Sequence, residues 1–261
     1  MASLRFAVRS EIGKVRRNNE DNFFCNGIYM TPSEYDKPFF MKGVADVPCV
    51  FAVFDGMGGH DCGEIASLTA AETLSQNFHE ILTCEHEAVD SFVKDANSKL
   101  TALMNERNIQ TGTTMILAVF GKNFFTAYNL GDSRCYRLDR NGTLLRVNYD
   151  HTVAEEMIQE GRLSAKNAEN SRWSNVLTRY IGMGADKADS SPDIYGLLGF
   201  DENKRVLLCS DGLNKMLTLR EISGIMKNYD SPEETVNALT EAALMKGGLD
   251  NVTCIVIDIE E

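Results

Sequence analysis

The sequence predicts an α+β fold, with antiparallel sheets covered by helices. Three observations lead there. Short apolar runs rich in β-branched and aromatic residues recur along the chain, and only short segments join several of them, as hairpins require. Between these groups the helical stretches come in pairs rather than alternating one for one with strands.

The first strand is read over 4–10 ("LRFAVRS") and the second over 49–54 ("CVFAVF"). Residues 30–49 between them hold three of the five prolines and read as an irregular insertion. Next, Ile65, Leu68, Leu74, Phe78 and Ile81 fall at helical spacing, and Val89, Phe92, Val93, Ala96, Leu100 and Leu103 repeat the pattern, which predicts two helices in tandem. Strands are read over 113–120, 124–130 and 133–138, and again over 205–210 and 251–259. Asp61 with Glu64, Thr218 with Glu221, and Ser231-Pro232 with Glu234 each pair an N-cap with an acid three positions on, so further helices should start near 219 and 232. No linker, repeat or like-charge block divides the chain, and a single domain over 1–261 is expected.

Of the 261 residues, 43% are hydrophobic, enough for a sizeable core. A formal charge of -12 opposes non-specific binding to nucleic acid or to an anionic membrane surface, and neither partner is expected. The seven cysteines form no CxxC pair, and several sit in apolar runs such as "RVLLCSDG", which suits reduced thiols of a cytoplasmic protein. The N-terminus shows no apolar leader, and no stretch has the length of a membrane span.

The chemistry gathers where strand-like runs meet an aspartate with glycine or asparagine beside it: Asp55-Gly56, Gly131-Asp132, Asp211-Gly212 and Asp250-Asn251, with Glu20 and Asp21 added by "NNEDN". Each alone reads as a turn. Together they read as carboxylates brought to one edge of a packed sheet, where they would raise one another's pKa unless a cation neutralised them. Oxygen-only donors suit Mg²⁺ or Mn²⁺, and such a centre suits phosphate-ester hydrolysis. A dinucleotide site is disfavoured, because the third glycine of a GxGxxG in "DGMGGHDCG" would fall on Asp61. The chain also lacks a GxSxG elbow, a GxxxxGK[ST] loop and the spacing for structural zinc.

Nine segments in register resemble the metal-dependent Ser/Thr protein phosphatases of type 2C, most closely their bacterial branch. They are "GKVRRNNED", "FAVFDGMGGH", "GEIAS", "TGTT", "NLGDSRCYR", "YDHT", "NVLTRYIG", "CSDGL" and "GGLDNVT". The resemblance implies a four-layer α-β-β-α sandwich, two antiparallel sheets flanked by paired antiparallel helices. It implies two Mn²⁺ or Mg²⁺ ions that activate a bridging water or hydroxide for in-line hydrolysis of phosphoserine or phosphothreonine, without a phosphoenzyme. Asp55 would bridge the metals, Asp211 and Asp250 would complete one site, and the Gly56 carbonyl would serve the other, supported by Glu20 and Asp21. Asp132 matches a third, weaker metal site, and Arg16 matches the arginine that holds the substrate phosphate.

Asn251 either orients water at the metals or shapes its turn, with the balance toward structure, and Thr114 is expected to open a core strand. Gly58, Gly59 and Gly63 are expected to serve close backbone approach. Met57 stands where many eukaryotic members carry a histidine general acid, so the proton must come from another group or from water. His60, three places on, is expected to support the loop. Residues 152–195, with the only tryptophan, correspond to a variable flap that bears on substrate choice. The implied partners are phosphorylated proteins and a cognate Ser/Thr kinase, with the enzyme a monomer. Two alternatives stay open: a non-catalytic phosphoprotein-binding scaffold, and a phosphatase of a regulatory partner-switching protein.

Overall fold

A computed structural model describes residues 3–58, 62–168, 171–183 and 191–259. Strands β1 (Ser3–Glu11), β2 (Asp21–Cys25), β3 (Phe39–Asp46) and β4 (Cys49–Gly58) come first, then helices α1 (Gly63–Gln76), α2 (Phe78–Ile81) and α3 (His86–Arg107). There follow β5 (Thr111–Thr113), β6 (Met115–Phe120), β7 (Phe124–Leu130), β8 (Arg134–Asp139), β9 (Leu144–Arg146), α4 (Val153–Gln159) and α5 (Ala165–Ala168). The chain continues through β10 (Asp193–Gly199), β11 (Asn203–Cys209), α6 (Asp211–Met216), α7 (Leu219–Asn228), α8 (Pro232–Met245) and β12 (Val252–Ile259).

Two antiparallel sheets result, one ordered β3-β1-β12-β11-β8-β9 and the other β10-β7-β6-β4-β2, with β5 paired to the far end of β4. The period of two in β4 explains the layers. Cys49, Phe51 and Val53 enter the core between the sheets, where the Phe6 and Phe51 rings meet edge-on at 5.0 Å. Val50, Ala52 and Phe54 face α1 and α3 instead, beside Ala70, Leu74, Phe92 and Leu100. "CVFAVF" shows no polar alternation because both faces of the strand are buried. On the other flank, Val252, Cys254 and Val256 of β12 pack with Leu213, Ile222, Val236 and Leu239 of α6, α7 and α8. The order is therefore helix, sheet, sheet, helix, as the resemblance implied.

Several sequence expectations need correction. Residues 30–49 are not wholly irregular: β3 pairs with β1 from Ser10↔Phe39 to Ser3↔Asp46 as an edge strand of alternating exposure. Its prolines, Pro38 and Pro48, lie just outside it, where no ladder hydrogen bond is lost. The run 113–120 is split at Thr114, which sits between β5 and β6 and does not open the strand. The stretch 152–195, read as a flap, is not contradicted: its described residues include helices α4 and α5 and the start of β10. Helix α4 begins where the Thr152 side chain accepts from the Glu155 amide at 3.2 Å. The caps at Thr218 and Ser231 form as read, whereas the N-cap of α1 is Cys62, and Asp61 lies outside the described residues. Among the described residues no helix is long and apolar enough to cross a membrane.

Candidate metal centre

Strand directions bring the acids to one end of the sandwich. Asp21 opens β2 directly opposite Asp55 of β4. Asp132 follows β7, and Asp211 follows β11 at the first position of α6. Asp250 precedes β12, whose third residue pairs with the end of β11 through Cys254↔Cys209. The aspartates are therefore not all strand ends: Asp55 lies inside a strand that runs on to Gly58, and Asp250 stands before one.

Asp55 is positioned through its backbone. Its amide donates to Thr114 Oγ1 at 3.1 Å, and its carbonyl accepts from the Thr114 amide at 2.9 Å and from Thr113 Oγ1 at 3.0 Å. Thr114 Oγ1 also meets Ser133 Oγ at 2.7 Å, which ties β4 to the turn carrying Asp132. Gly56 is required by space, since a Cβ there would lie 2.2 Å from the Gly63 carbonyl oxygen and 2.4 Å from that of Glu20. Glu20 closes the same corner, with its carbonyl accepting from the Gly56 amide at 3.1 Å and its carboxylate from the Gly63 amide at 3.2 Å.

Asn251 is used fully in binding the chain. Its Nδ2 donates to the carbonyls of Ile12 (2.8 Å) and Asn18 (2.9 Å), and its Oδ1 accepts from the Glu20 amide (2.9 Å). It thereby holds the loop that carries Arg16. Arg16, at the mouth, places Nη2 2.9 Å from Asp250 Oδ1 and Nη1 3.5 Å from Glu20 Oε2. His60 and Gly59 lie outside the described residues.

The electrostatics show carboxylates in excess. Burial raises Asp55 well above the usual carboxylate range, and repulsion from Asp21, Asp211, Asp132 and Asp250 adds to it. Asp132 is raised by burial and then by Asp211 and Asp150. Asp21 is pushed up to about 7, chiefly by burial, although Ser210 Oγ donates to its Oδ2 at 2.7 Å. Asp211 is also raised by burial, with Lys215 opposing. Among the described residues no three acids close on one ligand point; cations stand between them. Lys215 Nζ lies 2.5 Å from Asp211 Oδ2 and 3.3 Å from Asp250 Oδ2. Hard carboxylate oxygens that repel one another and already draw in side-chain cations are a donor set that fits divalent metal.

Four contributors escaped the sequence reading. Lys215 is signalled only by its spacing of four from Asp211 on what proves to be a short helix. Ser210 and Ser133 are adjacent to acids and had no distinguishing pattern. His151, within "YDHT", is buried; its Nδ1 accepts from the Gly131 amide at 3.1 Å and its Nε2 lies 3.1 Å from Asp193 Oδ2. It thus links the residue before Asp132 to β10, and burial lowers its pKa.

Residues 9–252 match the family model described as Protein phosphatase 2C. The chain belongs to the protein phosphatase 2C family. It is 29% identical to the serine/threonine phosphatase stp of Listeria welshimeri over 260 residues, covering 96% of this chain and 94% of that protein. It is 30% identical to the serine/threonine protein phosphatase PstP of Mycobacterium tuberculosis over 98% of this chain and 45% of that one. The crystal structure of the M. tuberculosis phosphatase PstP/Ppp superposes with a TM-score of 0.80 at 28% identity, covering 99% of this chain and 100% of that chain. A PstP catalytic domain in complex with two manganese ions gives 0.78 at 28% identity over the whole of both chains.

Proposed function

We propose that this protein is a Mn²⁺- or Mg²⁺-dependent phosphatase of phosphoserine and phosphothreonine in proteins, acting by direct attack of water without a phosphoenzyme. The observation that carries this reading is the gathering of Asp21, Asp55, Asp132, Asp211 and Asp250 at one end of the sandwich with Arg16 at its mouth. Asp55 would be shared between two ions, with Asp211 and Asp250 on one side and the Gly56 carbonyl, Glu20 and Asp21 on the other. Asp132 with Asp211 is the candidate third site. Bound there, divalent ions would supply charge for the phosphoryl oxygens and a water acidic enough to attack at neutral pH.

The chain's own residues do the positioning. Arg16 is half-exposed and can pair two phosphate oxygens through its planar fork, exchanging the Asp250 carboxylate for substrate. Asn251 keeps its loop in place. Met57 cannot donate a proton, so the leaving alkoxide takes one from another group or from water.

The test is phosphate release from a phosphothreonine peptide with and without Mn²⁺, in wild type and Asp55→Asn. Outer-shell changes at metal sites already cost about 10–100-fold, so loss of a shared ligand is expected to cost at least about a hundredfold. Equal, metal-independent rates in both proteins would sink the proposal. For Arg16→Ala the expected result is a raised KM with a smaller loss of kcat, because the guanidinium holds the phosphate in ground and transition states alike. A fall in kcat alone would remove Arg16 from that role.

A further inference from the structure

Lys215 is a residue that neither the family likeness nor the proposed chemistry accounts for. It lies one turn after Asp211 on α6, a spacing that puts both side chains on the same face of the helix. Its ammonium bridges the two carboxylates that would share one ion, at 2.5 Å from Asp211 Oδ2 and 3.3 Å from Asp250 Oδ2. Arg16 takes the opposite oxygen of Asp250, Oδ1, at 2.9 Å. The pair is thus closed by side-chain cations on both sides. One ammonium contacts both carboxylates at once.

A divalent ion cannot be added to this arrangement without moving the lysine. Mg²⁺ takes its oxygens at about 2.0–2.1 Å, and an ion held by the carboxylates that the ammonium already contacts would be repelled strongly by it in a partly desolvated site. The lysine has a way out, since its side chain is 37% exposed on a flexible four-carbon stem. Resting on the metal reading above, we infer that Lys215 is a tethered stand-in for the ion of the Asp211/Asp250 pair: it holds the metal-free site together and must be displaced when metal binds. It is a positioning residue that sets how tightly the enzyme retains that ion.

The experiment is calorimetric titration of metal-free full chain with MnCl₂, for wild type, Lys215→Met, Lys215→Gln and Lys215→Arg, with melting temperatures before and after. Both neutral variants are expected to bind Mn²⁺ roughly tenfold tighter or more, since the competing charge is gone. They should also melt lower than wild type when metal-free and recover the difference when loaded. Lys215→Arg keeps the charge and should stay near wild-type affinity. Lys215→Gln retains hydrogen bonding, so it covers the case in which Lys215→Met fails to fold without metal. Mn²⁺ uptake with equal or weaker affinity in the neutral variants overturns the lysine's role alone. A wild-type protein that takes up no Mn²⁺ overturns the metal centre and the stand-in with it.

Discussion

The Arg205–Asp258 pair and the acid cluster both set aspartate against basic side chains, and they are built to opposite ends. In the first, Arg205 of β11 is fully buried and grips Asp258 of β12 with two bonds, Nε to Oδ1 at 2.5 Å and Nη2 to Oδ2 at 2.9 Å. Its Nη1 donates to the carbonyls of Met226 and Tyr229 and to Thr235 Oγ1, so it also fastens α7 and α8 to the sheet. In the second, Lys215 and Arg16 face a larger group of part-buried acids and share Asp250 between them. Charge is balanced and satisfied in the first. It is left in deficit in the second, and that deficit is what a metal would fill.

The largest effect on stability should come from breaking the balanced pair. Arg205→Met leaves Asp258 buried without its partner, which typically costs about 3–5 kcal/mol. Arg5 approaches Asp258 at 3.7 Å from the rim, so the lower end of that range is expected. Urea unfolding should give this loss equally with and without Mn²⁺. A loss that Mn²⁺ repairs would mean that the two charge systems are coupled and the contrast false.

Removing an acid from the other place should have the reverse sign. Asp55→Asn deletes a carboxylate whose charge is disfavoured by burial and by its acidic neighbours, and the metal-free protein should gain stability in urea unfolding. The pH dependence follows from the same excess. A carboxyl held above its unfolded pKa binds its proton more tightly when folded, so its contribution is complete below pH 3.8 and is lost as pH climbs through the folded value, about 7 for Asp21. Metal-free protein should lose stability across that window, and Asp21→Asn should flatten the slope. Saturating Mn²⁺ should reverse it, since the ion favours the charged carboxylates. A wild-type slope unaltered by both changes would show that Asp21 does not titrate there.

The contrast also explains what could be read from the chain alone. The layers were legible because β4, β6 and β12 are apolar on both faces and α1 and α3 carry a period near 3.6. The acids were legible because Asp-Gly and Asp-Asn pairs repeat at the edges of those strands. Strand β3 was not, because its alternation ("FFMKGVAD") lies between prolines that signal a break. Neither Lys215 nor Arg205 was legible. A lysine four residues from an aspartate is ordinary on any helix surface, and an arginine in "KRVLLC" gives no sign that it is buried until α7 and α8 close over it.

The smallest effect tests whether the fastening of α8 is separate from the metal end. Ser231 caps that helix by accepting from the Glu234 amide at 3.2 Å, and its carbonyl accepts from Thr235 Oγ1 at 2.7 Å. Thr235 Oγ1 in turn accepts from Arg205 Nη1 at 2.9 Å. Ser231→Ala removes the side-chain cap together with the exposed bond from Ser231 Oγ to Glu234 Oε2, a loss of about 1 kcal/mol, and leaves the carbonyl in place for Thr235. Thermal unfolding should therefore drop by an amount that Mn²⁺ does not change, while the calorimetric Mn²⁺ affinity matches wild type. A shift in Mn²⁺ affinity would mean that strain at the cap reaches Asp250, five residues after the end of α8, through that helix.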